Sequence, residues 1–218
     1  MVASLWNRKS TKSYKILNFI ITQCLNLIAC ILPTKLEIKG RTSSLPPSAF
    51  ITCNHYNQLD ILPIKRLALR NHKRLYFIVK DTNLVMHFPI GFLVRNADSI
   101  PLTYNTHYLG RELPKHLSKI INNKSWILIY PEQELWFNYR KPRPLAKGAY
   151  YYAAKLNVPI ISCFVEMQNR HSKELFHRQF YKQKLTLHIL DTIYPDPKLT
   201  ISQNTKLMMQ KDCKRQIK

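Results

Sequence analysis

The hydrophobic positions of this chain change period several times, and each change marks an element. Residues 16–32 are mostly apolar and end at Pro33, after a polar and basic start over residues 1–15. The run reads as a helix. Its polar members Asn18, Thr22 and Asn26 share one helical face. Lys35–Gly40 alternates like a strand, and Ser43–Ser48 is a Ser/Pro loop. The apolar run Phe50–Cys53 ends at Asn54 and His55, and an amphipathic pattern from Ile61 to Arg70 follows Asp60. That is strand, turn and helix, with Pro63 tolerated in a first turn.

Further on, Arg74–Lys80 reads as a buried strand, and the stretches Phe88–Arg95 and Asp98–Leu102 follow. Apolar positions Leu109, Leu113, Leu117, Ile120 and Ile121 predict a helix over 107–123. Trp126–Glu132 is a strand that ends in a carboxylate. A basic loop punctuated by prolines runs from Asn138 to Lys147. Gly148–Asn157 reads as an Ala/Tyr helix, Val158–Glu166 and Leu185–Asp191 as strands, and 200–218 as a polar, basic terminal helix or tail. Strands alternating with helices predict an α/β fold, a layered mixed sheet flanked by helices. Residues 1–33 form a basic flank and helix, and 34–218 one domain, with no internal repeat.

Composition narrows the function classes. The 218 residues are 45% hydrophobic and 11% aromatic, enough for a sizeable core and unlike a disordered chain. Only 4 glycines are present, and neither dinucleotide nor P-loop phosphate motif occurs. The formal net charge of +22 predicts an acidic partner. The basic residues are spread along the chain, without a homeodomain, zinc-finger or RNA-recognition signature. Spread charge beside the apolar run 16–32 suits an anionic membrane surface. Seventeen residues are at the lower limit for spanning hydrocarbon. A helix that spans the membrane and an interfacial or half-buried helix with its basic flank on headgroups are both open expectations, with a buried core helix ranked below membrane association. Leu27–Cys30 after a basic start also has the form of a lipoprotein signal, but the polar residues inside the run oppose it. The 5 cysteines form no Cys-x-x-Cys pair, which indicates a reducing compartment. The 8 histidines show no metal-ligand spacing, so no metal site is expected.

The candidate chemistry lies at His55 and Asp60. Residues five apart on one continuous helix sit about 140° apart and do not face each other. With His55 on the turn and Asp60 in the first helical turn, the carboxylate can fold back onto the imidazole. The pair then has the form of a general base with its orienter, and no nucleophilic Ser or Cys is needed if the substrate supplies a hydroxyl. Cys53 next to it reads as a buried, inert strand-end thiol.

Four segments, in order, resemble the glycerophospholipid acyltransferase family, the PlsC-like group containing 1-acylglycerol-3-phosphate acyltransferase. Asn54-His55-Tyr56-Asn57-Gln58-Leu59-Asp60 is similar to that family's Asn-His-x-x-x-x-Asp. Phe88-Pro89-Ile90-Gly91 leading to Ile100-Pro101-Leu102 is similar to its Pro-x-x-Gly block and following Ile-Pro-Val strand. Tyr130-Pro131-Glu132 is similar to the start of Phe-Pro-Glu-Gly-Thr-Arg, and Lys147-Gly148 to the later Lys-x-Gly segment. Val158-Pro159-Ile160-Ile161 is similar to Val-Pro-Ile-x-Pro. The resemblance covers roughly residues 35–170.

The resemblance implies an O-acyltransferase of phospholipid biosynthesis, with an N-terminal membrane-contacting helix. It implies His55 as base and Asp60 as its orienter, with Asn54, Gly91, Pro131 and Glu132 binding substrate, and Arg95, Arg140 and Lys147 are expected to bind substrate beside them. It implies acyl-CoA or acyl carrier protein as co-substrate, no cofactor, and 1-acyl-sn-glycerol-3-phosphate as the default acceptor. It also implies a place at the cytoplasmic face of a membrane with anionic lipids. Two departures bear on the acceptor. The family's Gly-Thr-Arg is here Gln133-Glu134-Leu135, and no arginine follows Ile100-Pro101-Leu102. Both absent arginines belong to the family's acceptor-phosphate site, where a guanidinium fork grips two oxygens. Arg140, Arg143 and Lys147 in the basic loop, or Arg95, are the cations that can replace them, unless that loop is simply solvated. Trp136, Phe137 and Tyr139 form an aromatic cluster suited to an acyl channel, an interface or ordinary packing. A different lipid or glycolipid acceptor, a binding protein with a lapsed acceptor site, and a nucleic-acid-binding protein are the alternatives, though no nucleic acid is expected.

Overall fold

Apolar strand runs flanked by amphipathic helices build a sheet covered on both faces. The computed structural model of the chain describes residues 11–31, 36–56, 60–88, 90–137, 139, 141, 143–173 and 178–216. The basic flank of residues 1–10, the boundary between 33 and 34, and Arg140 lie outside the described residues. The described strands are β1 (Leu36–Lys39), β2 (Ala49–Thr52), β3 (Leu75–Lys80), β4 (Ser99–Leu102), β5 (Trp126–Ile129), β6 (Ile160–Lys173) and β7 (Tyr181–Ile193). They form one seven-stranded sheet in the order β1-β7-β6-β2-β5-β3-β4. β6 and β7 are antiparallel, and every other neighbouring pair is parallel. The fold class is the α/β layered mixed sheet that the sequence pattern predicts.

The described helices are α1 (Lys12–Ile31), α2 (Ile61–Arg70), α3 (Ile90–Asn96), α4 (Leu113–Asn122), α5 (Gly148–Lys155) and α6 (Ile201–Gln216). Leu113 and Leu117 of α4, Ala153 of α5 and Met208 of α6 pack with Phe50, Ile127 and Ile160 on one face. Ile64 and Leu67 of α2 pack with Ile51, Leu128 and Ile161 on the other. Burial on both faces explains why β2 reads as a continuous apolar run rather than an alternation. Each fully buried Leu or Ile contributes about 1.5–3 kcal/mol.

Two strands differ from the sequence expectation. β6 and β7 run well past Glu166 and start well before Leu185, as a two-stranded ribbon whose outer residues are largely exposed. A ribbon wet on both faces carries no hydrophobic period. The stretch 88–95, to which the sequence pattern assigns no element, overlaps the seven-residue α3, too short for a periodic signal. The helix predicted over 107–123 is present, with a π turn, Tyr108–Glu112, leading into α4.

α1 is oriented against the usual rule. Tyr14, Asn18 and Ile21 face the protein, while Ile16, Phe19, Ile20 and Leu27 face outward. Asn18, only 4% exposed, donates to the Asn96 carbonyl at 2.9 Å and accepts from Arg74 at 2.8 Å. Arg74 also grips the Asp98 carboxylate through two nitrogens at 2.7 and 2.9 Å. Asn18, from the polar face of α1, is therefore docked together with Tyr14 and Ile21. Among the described residues, no helix is long and apolar enough to cross a membrane.

β2, β3, β4 and β5 point the same way, so the segments that leave their C-terminal ends share one edge. In open parallel sheets that edge is where ligands bind. Lys80 at the end of β3 pairs with Glu134 beyond β5 at 3.8 Å, spanning that edge.

Candidate active site

β2 and β5 pair in register from Ala49 opposite Trp126 to Thr52 opposite Ile129. The next residues on each strand leave the sheet side by side. One exit carries Cys53, Asn54 and His55, and the other Tyr130, Pro131 and Glu132. The sheet therefore assembles the site from segments far apart in the chain.

Asp60 stands at the N-cap of α2 and makes no side-chain cap to its own helix. Its carboxylate instead turns back on the preceding loop. Oδ2 lies 2.6 Å from His55 Nδ1 and accepts the Tyr56 N–H at 3.2 Å. Oδ1 accepts the Tyr130 hydroxyl at 2.7 Å. Asp60 is 2% exposed and the His55 side chain 20%. A buried carboxylate held by several donors makes a rigid orienter. It fixes the proton on Nδ1 and leaves Nε2 as the ring nitrogen with a free lone pair. The two side chains thus meet with the geometry expected from the turn-and-helix spacing.

Tyr130 makes a second contact. Its ring stacks on the imidazole with centroids 4.1 Å apart and planes 11° apart. Burial, reinforced by the negative charge of Asp60, pushes the Tyr130 phenol well above its ordinary range, so it remains a donor. The sequence places Tyr130 in a motif but assigns it no task. The in-register pairing of β2 and β5 is the missing information.

Glu132 braces the same loop. Its Oε2 accepts the backbone N–H of His55 at 3.1 Å and faces Arg143 at 3.6 Å. Burial raises the Glu132 acid group above the usual carboxylate value, and the His55 N–H and Arg143 pull it back down. Arg143 donates to the carbonyls of Glu132, at 3.1 Å, and Glu134, and its guanidinium lies 4.4 Å from the Trp136 ring centroid. Of the loop cations proposed for the acceptor, Arg143 is the one that touches the His55 cluster among the described residues.

The other candidates fall into two groups. Asn54 uses both ends of its amide on Val165 of β6: Nδ2 donates to the carbonyl at 3.0 Å and Oδ1 accepts the N–H at 2.8 Å. Asn54 thereby fastens the loop to the sheet. Pro131 is buried in a turn closed by Gln133 N–H to the Tyr130 carbonyl at 3.1 Å. Its carbonyl accepts the Ala146 N–H at 2.8 Å, which brings exposed Lys147, at the N-cap of α5, beside the turn. Gly91 and Arg95 belong to a different cluster. A Cβ at Gly91 would collide with the Met86 carbonyl oxygen. Arg95 donates to the carbonyls of Leu84 and Met86. Both hold segment 81–88 against α3, so the structure gives them packing partners where their motif implied substrate. Cys53 is buried and burial raises its thiol, which fits an inert residue. No group of residues suited to holding a metal occurs among the described residues.

A family model described as Acyltransferase matches residues 35–166. The chain belongs to the acyltransferase family. The match spans β1 to the first half of β6 and includes His55, Asp60 and Glu132. The fold is shared with the crystal structure of PlsC, the 1-acyl-sn-glycerophosphate (LPA) acyltransferase from Thermotoga maritima. That likeness has a TM-score of 0.60 at 16% identity and covers 98% of this chain and 86% of that one. No curated protein gives a significant sequence match. Within this acyltransferase fold, the ring of His55 and the carboxylates of Asp60 and Glu132 gather at the C-terminal edge of the central strands.

Proposed function

We propose that this acyltransferase-family chain moves a fatty acyl group from a thioester to a hydroxyl of a lysophospholipid. The observation that carries the proposal is the 2.6 Å contact of Asp60 Oδ2 with His55 Nδ1, which leaves Nε2 to work as a base. Nε2 takes the proton of the acceptor hydroxyl as its oxygen attacks the thioester carbonyl. The tetrahedral intermediate expels the thiolate as the carbon–sulfur bond breaks. The imidazolium returns its proton to sulfur, giving an ester and a free thiol. Asp60 stabilises the imidazolium in between. Acyl-CoA or acyl carrier protein is the donor, and no cofactor takes part.

The default acceptor is a 1-acyl-sn-glycerol-3-phosphate, supported by the four motif segments and by the activity named for the Thermotoga maritima protein. Arg143 supports an anionic headgroup, because its guanidinium sits on Glu132 and Trp136 beside the site. Leu135, standing where the family carries arginine, supports a second reading, a lipid acceptor without the phosphate. The outward apolar face of α1 and the +22 charge support work at the cytoplasmic face of an anionic membrane.

The test is acyl transfer from long-chain acyl-CoA and acyl carrier protein to a panel of acceptors, read by mass spectrometry of the lipid product. Esterified 1-acylglycerol-3-phosphate is the expected product. Esterification of a phosphate-free acceptor alone selects the second reading. Absence of product and of free thiol with every acceptor refutes both.

A further inference from the structure

One feature of the described surface that the site does not explain is apolar. Phe88 is 80% exposed and Phe19 63%, values unusual for phenylalanine in a folded domain. Val85, Met86 and Leu93 are exposed near Phe88, and Ile16, Ile20 and Leu27 near Phe19. The two groups lie on packed elements. α1 docks on the end of α3 through Asn18 and Asn96, and Tyr14 donates to the Ala97 carbonyl at 3.1 Å.

We infer that the apolar tip formed by Val85, Met86, Phe88 and Leu93 is a second lipid-contacting element, which together with α1 seats the C-terminal edge of the sheet on an anionic bilayer. The inference rests on the membrane placement proposed above and adds which surface touches the lipid. Three observations carry it. First, segment 81–88 leaves the C-terminal end of β3, the same edge that holds His55, and Lys80 ties that end to Glu134 beyond β5. Second, the exposed apolar residues are held outward by their surroundings. Gly91 admits the Met86 carbonyl, Arg95 grips the Leu84 and Met86 carbonyls, and Leu84 is buried as the anchor. A loop so braced keeps Val85, Met86 and Phe88 in water when nothing covers them. Third, the charge fits: exposed Lys12 and Lys15 flank the apolar face of α1 on a chain of net charge +22. Apolar side chains backed by cations are what an anionic interface binds.

A lipid acceptor and a thioester-borne acyl chain both reach the active-site edge from such an interface without crossing water. Gly91 and Arg95 then serve acyl transfer indirectly, by shaping the tip that holds the enzyme on its substrate phase.

The test uses the full chain with vesicles of phosphatidylglycerol in phosphatidylcholine, read by co-sedimentation. Phe88→Ser and Val85→Ser/Phe88→Ser replace exposed side chains, and circular dichroism checks that both remain folded. The double variant should partition at least about tenfold more weakly than wild type. Its turnover on a short-chain acceptor that stays monomeric in water should be unchanged. Phe19→Ser/Ile20→Ser on α1 should weaken partition independently. Equal partition of wild type and the tip variants, with the α1 variant weakened, overturns the inference while leaving membrane placement standing. Failure of wild type to bind any vesicle overturns the membrane placement itself. Loss of turnover on the water-soluble acceptor would make the tip a wall of the substrate site, and a wild-type dimer dispersed by Phe88→Ser would make it a self-association surface. Either result overturns the inference.

Discussion

Tyr130 lies flat on the His55 ring and donates its hydroxyl, at 2.7 Å, to the carboxylate that holds the other side of that imidazole. One tyrosine thus fixes both the plane of the base and the oxygen of its orienter. Tyr130→Phe keeps the ring and removes the bond to Asp60 Oδ1. A hydrogen bond to a charged group contributes about 1.5–3 kcal/mol, so turnover should fall roughly 10- to 100-fold. Tyr130→Ala removes the stacking as well and should fall further. Steady-state kinetics of the two variants distinguish these effects: equal losses would mean the stacked ring adds nothing beyond the hydroxyl, and full turnover in Tyr130→Phe would mean the hydroxyl has no role.

Asp60→Asn should lower turnover by about 10⁴-fold, because an amide no longer fixes the ring tautomer or stabilises imidazolium. The acceptor's Michaelis constant should change little. Circular dichroism should match wild type, since Asp60 makes no side-chain cap to α2. A loss below tenfold would remove Asp60 from the mechanism.

Glu132 predicts a pH dependence of stability. Burial holds its acid group above the ordinary value, so the native state keeps the proton to a higher pH than the unfolded chain. The native state binds more protons in that window, and wild type loses stability as pH rises from the carboxylate range through the raised value. Glu132→Gln lacks this loss, so its thermal midpoint relative to wild type should climb with pH across the same window. A gain by wild type instead would mean that the His55 N–H and Arg143 outweigh burial.

Gln133 has φ +66° in the turn that follows β5, at the position where the family carries glycine. A side chain there costs about 1–2 kcal/mol. Gln133→Gly should therefore raise the unfolding free energy by about 1 kcal/mol in urea titration. An unchanged midpoint would show that a Gln133 contact offsets the strain.

The strand–turn–helix around His55 was legible because a doubly covered strand and an amphipathic helix each leave a clear period. Glu132 was legible as a carboxylate at a strand end. The strand order was not, because parallel neighbours such as β2 and β5 are brought together by packing rather than by adjacent sequence. For the same reason the partner of Asn54, Val165, and the stacking of Tyr130 were hidden. α1 misleads differently. The sequence shows that Asn18, Thr22 and Asn26 share a face, but only the Arg74–Asp98 pair beneath explains why Asn18 is docked. The motif around Gly91 and Arg95 implies substrate contact, and the close approach of Met86 gives both residues another task.

The most direct measure of the central claim is the rate of free-thiol release from a long-chain acyl thioester with 1-acylglycerol-3-phosphate, for wild type and His55→Ala. Acceptor-dependent release by wild type, reduced at least about 10³-fold in the folded variant, is the predicted result. Near-equal rates in the two proteins would contradict base catalysis by His55.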